Sequence, residues 1–79
     1  MVKSLNELDP GESGVVCEIR GGQGLINRLN ALGIIIGKKI TKIDTMIMRG
    51  PVTVRVNRTK AAIGFGMAGK IFLEVSKQR

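Results

Sequence analysis

The sequence predicts a small, mainly β domain: a partly open, five-stranded barrel with one short helix inserted between its first two strands. Three observations carry this expectation. Eleven glycines punctuate short apolar runs across 79 residues, which is the pattern of short strands joined by tight turns. Val52, Val54 and Val56 alternate with Thr53 and Arg55, the period of a half-buried strand. Only residues 25–32 keep a helical period, with Leu25, Leu29 and Leu32 spaced i, i+4, i+7 along one face.

The elements follow in order. Leu5 and Leu8 predict a short helical turn that plugs one end of the barrel. Asp9-Pro10-Gly11-Glu12 predicts a turn, because Pro presets φ and Gly tolerates positive φ. A first strand spans about 14–20. Val15 and Val16 are both apolar there, which breaks the alternation and suggests a bulge. Cys17, inside that strand, is expected to be a small core residue. Gly21-Gly22-Gln23-Gly24 ends the strand, and the helix begins. Gly33, just past the last leucine, is placed to end the helix in the left-handed region. The second strand opens at Gly37 and runs through Ile40 and Ile43 to Thr45. Met46-Ile47-Met48-Arg49-Gly50 reads as an apolar loop turned at Gly50-Pro51. The third strand is 52–56, Asn57-Arg58 is a tight reversal, and the fourth strand is 59–63. Gly64 to Gly69 forms a compact turn with room for one helical turn, and a fifth strand, 71–75, closes the sheet. No repeat or linker interrupts this order, so 1–79 reads as one domain.

Composition narrows the function. The formal net charge is +7, which favours an acidic or anionic partner without choosing among nucleic acid, membrane and protein. The basic residues are scattered, and Lys38-Lys39 is the only adjacent pair. A single cysteine forbids an intrachain disulfide and agrees with a reducing compartment. Met1 to Glu7 contain no apolar signal-peptide core. Ile34-Ile35-Ile36 is far short of the roughly 20 apolar residues a membrane span needs. A cytoplasmic protein outside the bilayer is expected.

Reactive groupings are missing from the sequence. There is no histidine and Cys17 is alone, so N and S ligands for a transition metal cannot be assembled. Neither a bound cofactor nor an enzyme is expected, since the usual general base is gone and no serine or cysteine has an activating partner. Glu7, Asp9 and Glu12 read as turn and cap residues. Gly64-Phe65-Gly66-Met67-Ala68-Gly69 matches G-x-G-x-x-G, yet the βαβ unit and distant acid of a dinucleotide site are absent, so it reads as a turn between strands. Gly21-Gly22-Gln23-Gly24 lacks the Lys-Ser/Thr of a phosphate loop. Phe65 and Phe72 are the only aromatic residues. That is too few to line a groove for Pro-rich peptides or to stack bases, so nucleic acid could be held only through its phosphates.

What remains is apolar surface. Ile34-Ile35-Ile36 and Met46-Ile47-Met48 are consecutive apolar residues that cannot all point inward. The expected partner-binding surface is therefore Ile34, Ile35, Met46, Ile47 and Met48, rimmed by Lys38, Lys39, Lys42 and Arg49. The same loops leave self-association open.

These segments resemble the FeoA family over nearly the whole chain. Leu5-x-x-Leu8-x-x-Gly11 and Gly14-x-Val16-x-x-Ile19 look like its opening. Arg28-Leu29-x-x-Leu32-Gly33-Ile34-x-x-Gly37-x-x-Ile40 resembles its most specific signature, with Ile36 where a proline usually precedes Gly37. Pro51-Val52-x-Val54 and Ala68-x-x-Ile71-x-Leu73-Glu74 are similar to its later strands. Lys60 to Gly66 depart from the family's leucine-rich strand and charged turn. The resemblance implies an SH3-like barrel, similar in fold to the SH3-like domain of DtxR-type iron-dependent repressors. It also implies an accessory protein of ferrous iron transport whose partner is the cytosolic GTP-binding domain of a FeoB-type membrane permease. Gly11-x-x-Gly14-x-Val16-x-x-Ile19 also resembles KOW-type barrels, which makes a nucleic-acid-binding barrel the alternative.

Overall fold

Residues 1–45 and 50–76 are described by the computed structural model. Six strands form one antiparallel sheet: β1 (Val2–Ser4), β2 (Ser13–Ile19), β3 (Lys39–Thr45), β4 (Val52–Val56), β5 (Thr59–Ile63) and β6 (Ile71–Glu74). The order across the sheet is β1-β6-β2-β3-β4-β5. A 3₁₀ turn (Leu5–Glu7) follows β1, α1 (Gln23–Ala31) joins β2 to β3, and α2 (Phe65–Ala68) joins β5 to β6. This is the expected small β barrel, with one strand more than the sequence suggested. Val2–Ser4 is that strand. It is too short to show a period of its own, and its partner, β6, lies at the other end of the sequence.

The strands curl around one core. Val16, Ile40, Val52, Val54, Val56, Ile63, Ile71 and Leu73 turn inward from five strands, and Leu5, Leu8, Leu29, Ile34 and Ala68 close over them. The helical turn predicted at Leu5 and Leu8 is present as the 3₁₀ turn, and both leucines are buried. Each fully buried aliphatic side chain contributes about 1.5–3 kcal/mol relative to leaving it in water. Strand β4 is the cleanest case, with its three valines buried and Arg55 outside. Gly14 is required by close packing. A Cβ there would stand 2.9 Å from the Leu73 Cβ and 3.1 Å from the Glu74 carbonyl oxygen.

Two bulges set which side chains face out. In the β2–β6 ladder, Val16 pairs with Leu73 and Glu18 with Phe72, so Cys17 is the extra residue. This is the bulge expected from the broken alternation. It corrects the expectation for Cys17 itself, which is exposed. Val16 takes the inward position, so the next side chain points out. The extra residue then keeps Glu18 outside as well, which avoids burying a carboxylate. In the β3–β4 ladder, Lys42 pairs with Val54 and Asp44 with Thr53, leaving Ile43 as the extra residue.

The turns behave as their residues dictate. Gly33 has φ +90°. Its N–H donates to Asn30 O and the Ile34 N–H reaches back to Leu29 O at 3.0 Å, so the last carbonyls of α1 are satisfied. Ile34 and Leu29 then pack together in the core. Asn57 adopts φ +58° in the β4–β5 reversal. Glu12 N donates to Asp9 O across the first turn. Glu7 accepts from the Ser4 N–H at 2.8 Å, and Glu12 accepts from the Asp9 N–H at 2.9 Å, the cap and turn roles expected of them. The G-x-G-x-x-G run brackets α2, a single four-residue turn of helix between β5 and β6, which is not the βαβ unit a dinucleotide site needs.

Candidate docking surface

The loop that leaves α1 positions the candidate surface. Ile34 is drawn into the core by the helix cap and is fully buried. Ile35 and Ile36 then have no inward position left, and they are 42% and 59% exposed. The loop is anchored to β2 rather than loose: Gly37 N donates to Val16 O at 2.7 Å, and Val16 N donates to Lys38 O at 2.9 Å. Ile35 and Ile36 thus line a groove of about 500 Å³ together with Ile26 and Asn30 of α1 and Cys17, Glu18 and Ile19 of β2. The Asn30 amide, oriented so that its nitrogen faces the carbonyls, donates to Ile34 O at 3.0 Å and Ile26 O at 3.3 Å. Those bonds lock the helix to the loop that bears the isoleucines. Leu32, at the end of α1, is also 40% exposed.

Several predicted members of the surface stand elsewhere. Ile34 does not belong to it, because the cap buries it against Leu29. Lys42 does not belong to its rim. It is 2% exposed, since β3 carries it on the same inward face as Ile40. Its ammonium donates to Leu8 O at 2.6 Å, Asn6 O at 3.3 Å and Leu5 O at 3.4 Å. Its three protons are directed at carbonyls of the 3₁₀ turn and its exit: Leu5 O also accepts the Leu8 N–H, while Asn6 O and Leu8 O gain a donor that the turn does not supply. Burial pushes the Lys42 pKa down, while Asp9 and Glu12 pull it back up. Lys38 is half-buried and donates to Asn57 Oδ1 at 3.2 Å. Lys39 is exposed, opposite Val15 in the β2–β3 ladder. Met46, Ile47, Met48 and Arg49 lie outside the described residues.

The groove adds residues that sequence reasoning did not assign. Ile26 lies off the Leu25–Leu29–Leu32 stripe and was readable as the second apolar position of the helix. Cys17 was placed in the core. No pattern in the sequence shows that α1 and β2 leave a gap between them. Among the described residues, no three His, Cys, Asp or Glu side chains are grouped closely enough to hold a metal ion. No helix among them is long and apolar enough to cross a membrane.

Comparison with known proteins places this architecture. The model of the FeoA domain matches residues 3–75. A candidate Fe(2+) transport protein A of Methanocaldococcus jannaschii is 39% identical over 64 residues, covering 81% of this chain and 76% of that protein. A crystal structure of an iron uptake regulatory protein, FeoA, superposes with a TM-score of 0.85 at 34% identity, covering 94% of this chain and 96% of the other. A manganese-dependent transcriptional repressor shares the fold with a TM-score of 0.86 at 16% identity, over 95% of this chain and 42% of the repressor. The match spans the glycine-capped helix, both bulged ladders and the closing strand, and the chain belongs to the FeoA family.

Proposed function

We propose that this chain is a cytoplasmic accessory protein of ferrous iron transport that docks on the cytosolic GTP-binding domain of a FeoB-type membrane permease, with no catalysis of its own. The observation that carries the reading is the pair Ile35 and Ile36, held exposed on a loop tied to β2 and α1. Two large apolar side chains fixed in water cost solvation that a partner surface recovers. Lys38 and Lys39 follow them in sequence and supply a basic rim. Met46, Ile47, Met48 and Arg49 are proposed as a continuation of the surface on sequence grounds. Membership of the FeoA family and the names of the related proteins support the ferrous iron assignment.

The test is capture of the permease's cytosolic domain by the purified protein. Replacing both residues, Ile35→Asp with Ile36→Asp, is expected to abolish capture while leaving the thermal melt close to that of the parent, because neither side chain belongs to the core cluster. Capture at parental strength by the folded double variant would show that this surface is not the contact.

A further inference from the structure

A second exposed surface lies on the outer face of the sheet at the β4–β5 hairpin, and it is built from cations. The register places Thr41, Arg55 and Lys60 in one row across β3, β4 and β5, with Arg55 directly opposite Lys60. Val54 and Val56 point inward, so Arg55 points out, and Lys60 is exposed beside it. Arg58 stands in the reversal between them. Lys39 shares the outer face at the start of β3, and the Lys38 ammonium is brought onto the hairpin by its bond to Asn57. Five cations therefore gather at one end of three adjacent strands.

The carboxylates are elsewhere. Glu12 pairs with Lys3, Glu18 with Arg20, and Glu74 with the Met1 amine. Glu7 caps the 3₁₀ turn, Asp9 lies in the turn near Lys42, and Asp44 is at the far end of β3, opposite Thr53. Among the described residues, Lys39, Arg55, Arg58 and Lys60 form no ion pair. Like charges directly across a ladder oppose folding. Among the described residues nothing compensates the Arg55–Lys60 pair, so an outside anion is the natural complement.

We propose that this hairpin face binds the surface of an anionic lipid bilayer. Charge complementarity carries the proposal, and the shape of the surface chooses the partner. The cations lie on the outside of a curled sheet rather than in a groove that could follow a nucleic-acid strand. The aromatic residues that would stack bases are not there: Phe72 lies on β6 under the Arg20 guanidinium, and Phe65 is on α2. Diffuse charge on an open face is what a planar layer of anionic headgroups attracts, within a Debye length and without shaped pockets. The inference goes beyond permease docking and needs no permease.

The test is co-sedimentation of the full chain with vesicles of equimolar phosphatidylglycerol and phosphatidylcholine, against vesicles of phosphatidylcholine alone. Binding is expected only to the anionic vesicles, and it should weaken steeply as salt is raised. The triple variant Arg55→Gln, Arg58→Gln, Lys60→Gln is expected to bind about tenfold more weakly or worse. A charge-matched control, Arg20→Gln, Arg28→Gln, Lys70→Gln, should keep most of the affinity. The double variant Ile35→Asp, Ile36→Asp should still sediment, which separates this surface from permease capture. No sedimentation at low salt would overturn the proposal. So would equal losses in the two triple variants, which would mean attraction by net charge alone. Tighter binding to a short DNA duplex or to an acidic peptide than to vesicles, in the same buffer, would assign the face to that partner instead.

Discussion

Lys42 shows how far a single residue can depart from what its type suggests. In sequence it is one of several scattered lysines. In the fold it is an internal strut whose ammonium gathers the carbonyls of Leu5, Asn6 and Leu8, tying β3 to the turn that plugs the barrel. Replacing it with an isosteric apolar chain, Lys42→Met, removes a buried charge but takes the ammonium donor from the Asn6 and Leu8 carbonyls, while Leu5 O keeps the Leu8 N–H. The second effect should win, because charged hydrogen bonds are worth about 1.5–3 kcal/mol and unsatisfied buried acceptors cost about 1–3 kcal/mol each. A net loss of about 1–3 kcal/mol in a urea melt is expected, and a variant as stable as the parent would contradict this account. Glu12, nearby, makes stability depend on acid. Its carboxylate accepts the Asp9 N–H and faces Lys3. The first of these, chiefly, holds its pKa below the usual 4.5, with Lys3 and Lys42 adding to the effect. The unfolded chain therefore takes up this proton first, so the stabilisation is complete above pH 4.5 and fades as the pH falls through the lower, folded value. Melting temperature should decline across that window, and Glu12→Gln should flatten the part of the decline that Glu12 causes. An unchanged acid profile in that variant would count against it.

At the scale of elements, the helix and its exit are the most tightly specified part of the chain. Leu29, Gly33 and Ile34 act together: the leucine anchors the helix, the glycine reverses the backbone, and the isoleucine returns to pack on the leucine. Gly33→Ala should cost about 1–3 kcal/mol, because φ is +90° and the new Cβ would meet Val56 Cγ1 at 3.2 Å. Thermal denaturation measures this, and a neutral result would mean the loop can rebuild without its left-handed residue. This element was legible in sequence because every determinant lies within a few residues. The β4–β5 hairpin was legible for the same reason. What the sequence could not show was long-range pairing. Strand β1 exists only because β6 offers it an edge. The inward face of β3 admits Lys42 only because the 3₁₀ turn brings carbonyls there. Cys17 was misplaced because two adjacent valines leave open which of them faces inward, and the fold buries Val16, which turns Cys17 out. The candidate surface was half legible: three consecutive isoleucines announce that some must face water, but which one is buried depends on where the helix cap delivers the chain.

On the scale of the whole molecule, the two proposals concern two different parts of the exterior. One is a mostly apolar groove between α1 and β2 that also carries Glu18 and Asn30; the other is basic and lies on the outer side of β3, β4 and β5. The first is proposed to meet a membrane permease and the second anionic headgroups, and the two proposals are separately testable. The sheet order also has a consequence for how the chain is made. Strand β6 lies between β1 and β2 and pairs with both, yet it follows every other described strand in chain order. During translation, β2, β3, β4 and β5 can join in sequence, while β1 must wait, unpartnered, until the closing strand emerges. Closure of the sheet therefore waits for β6, and until that strand emerges the nascent chain carries an open edge on β2.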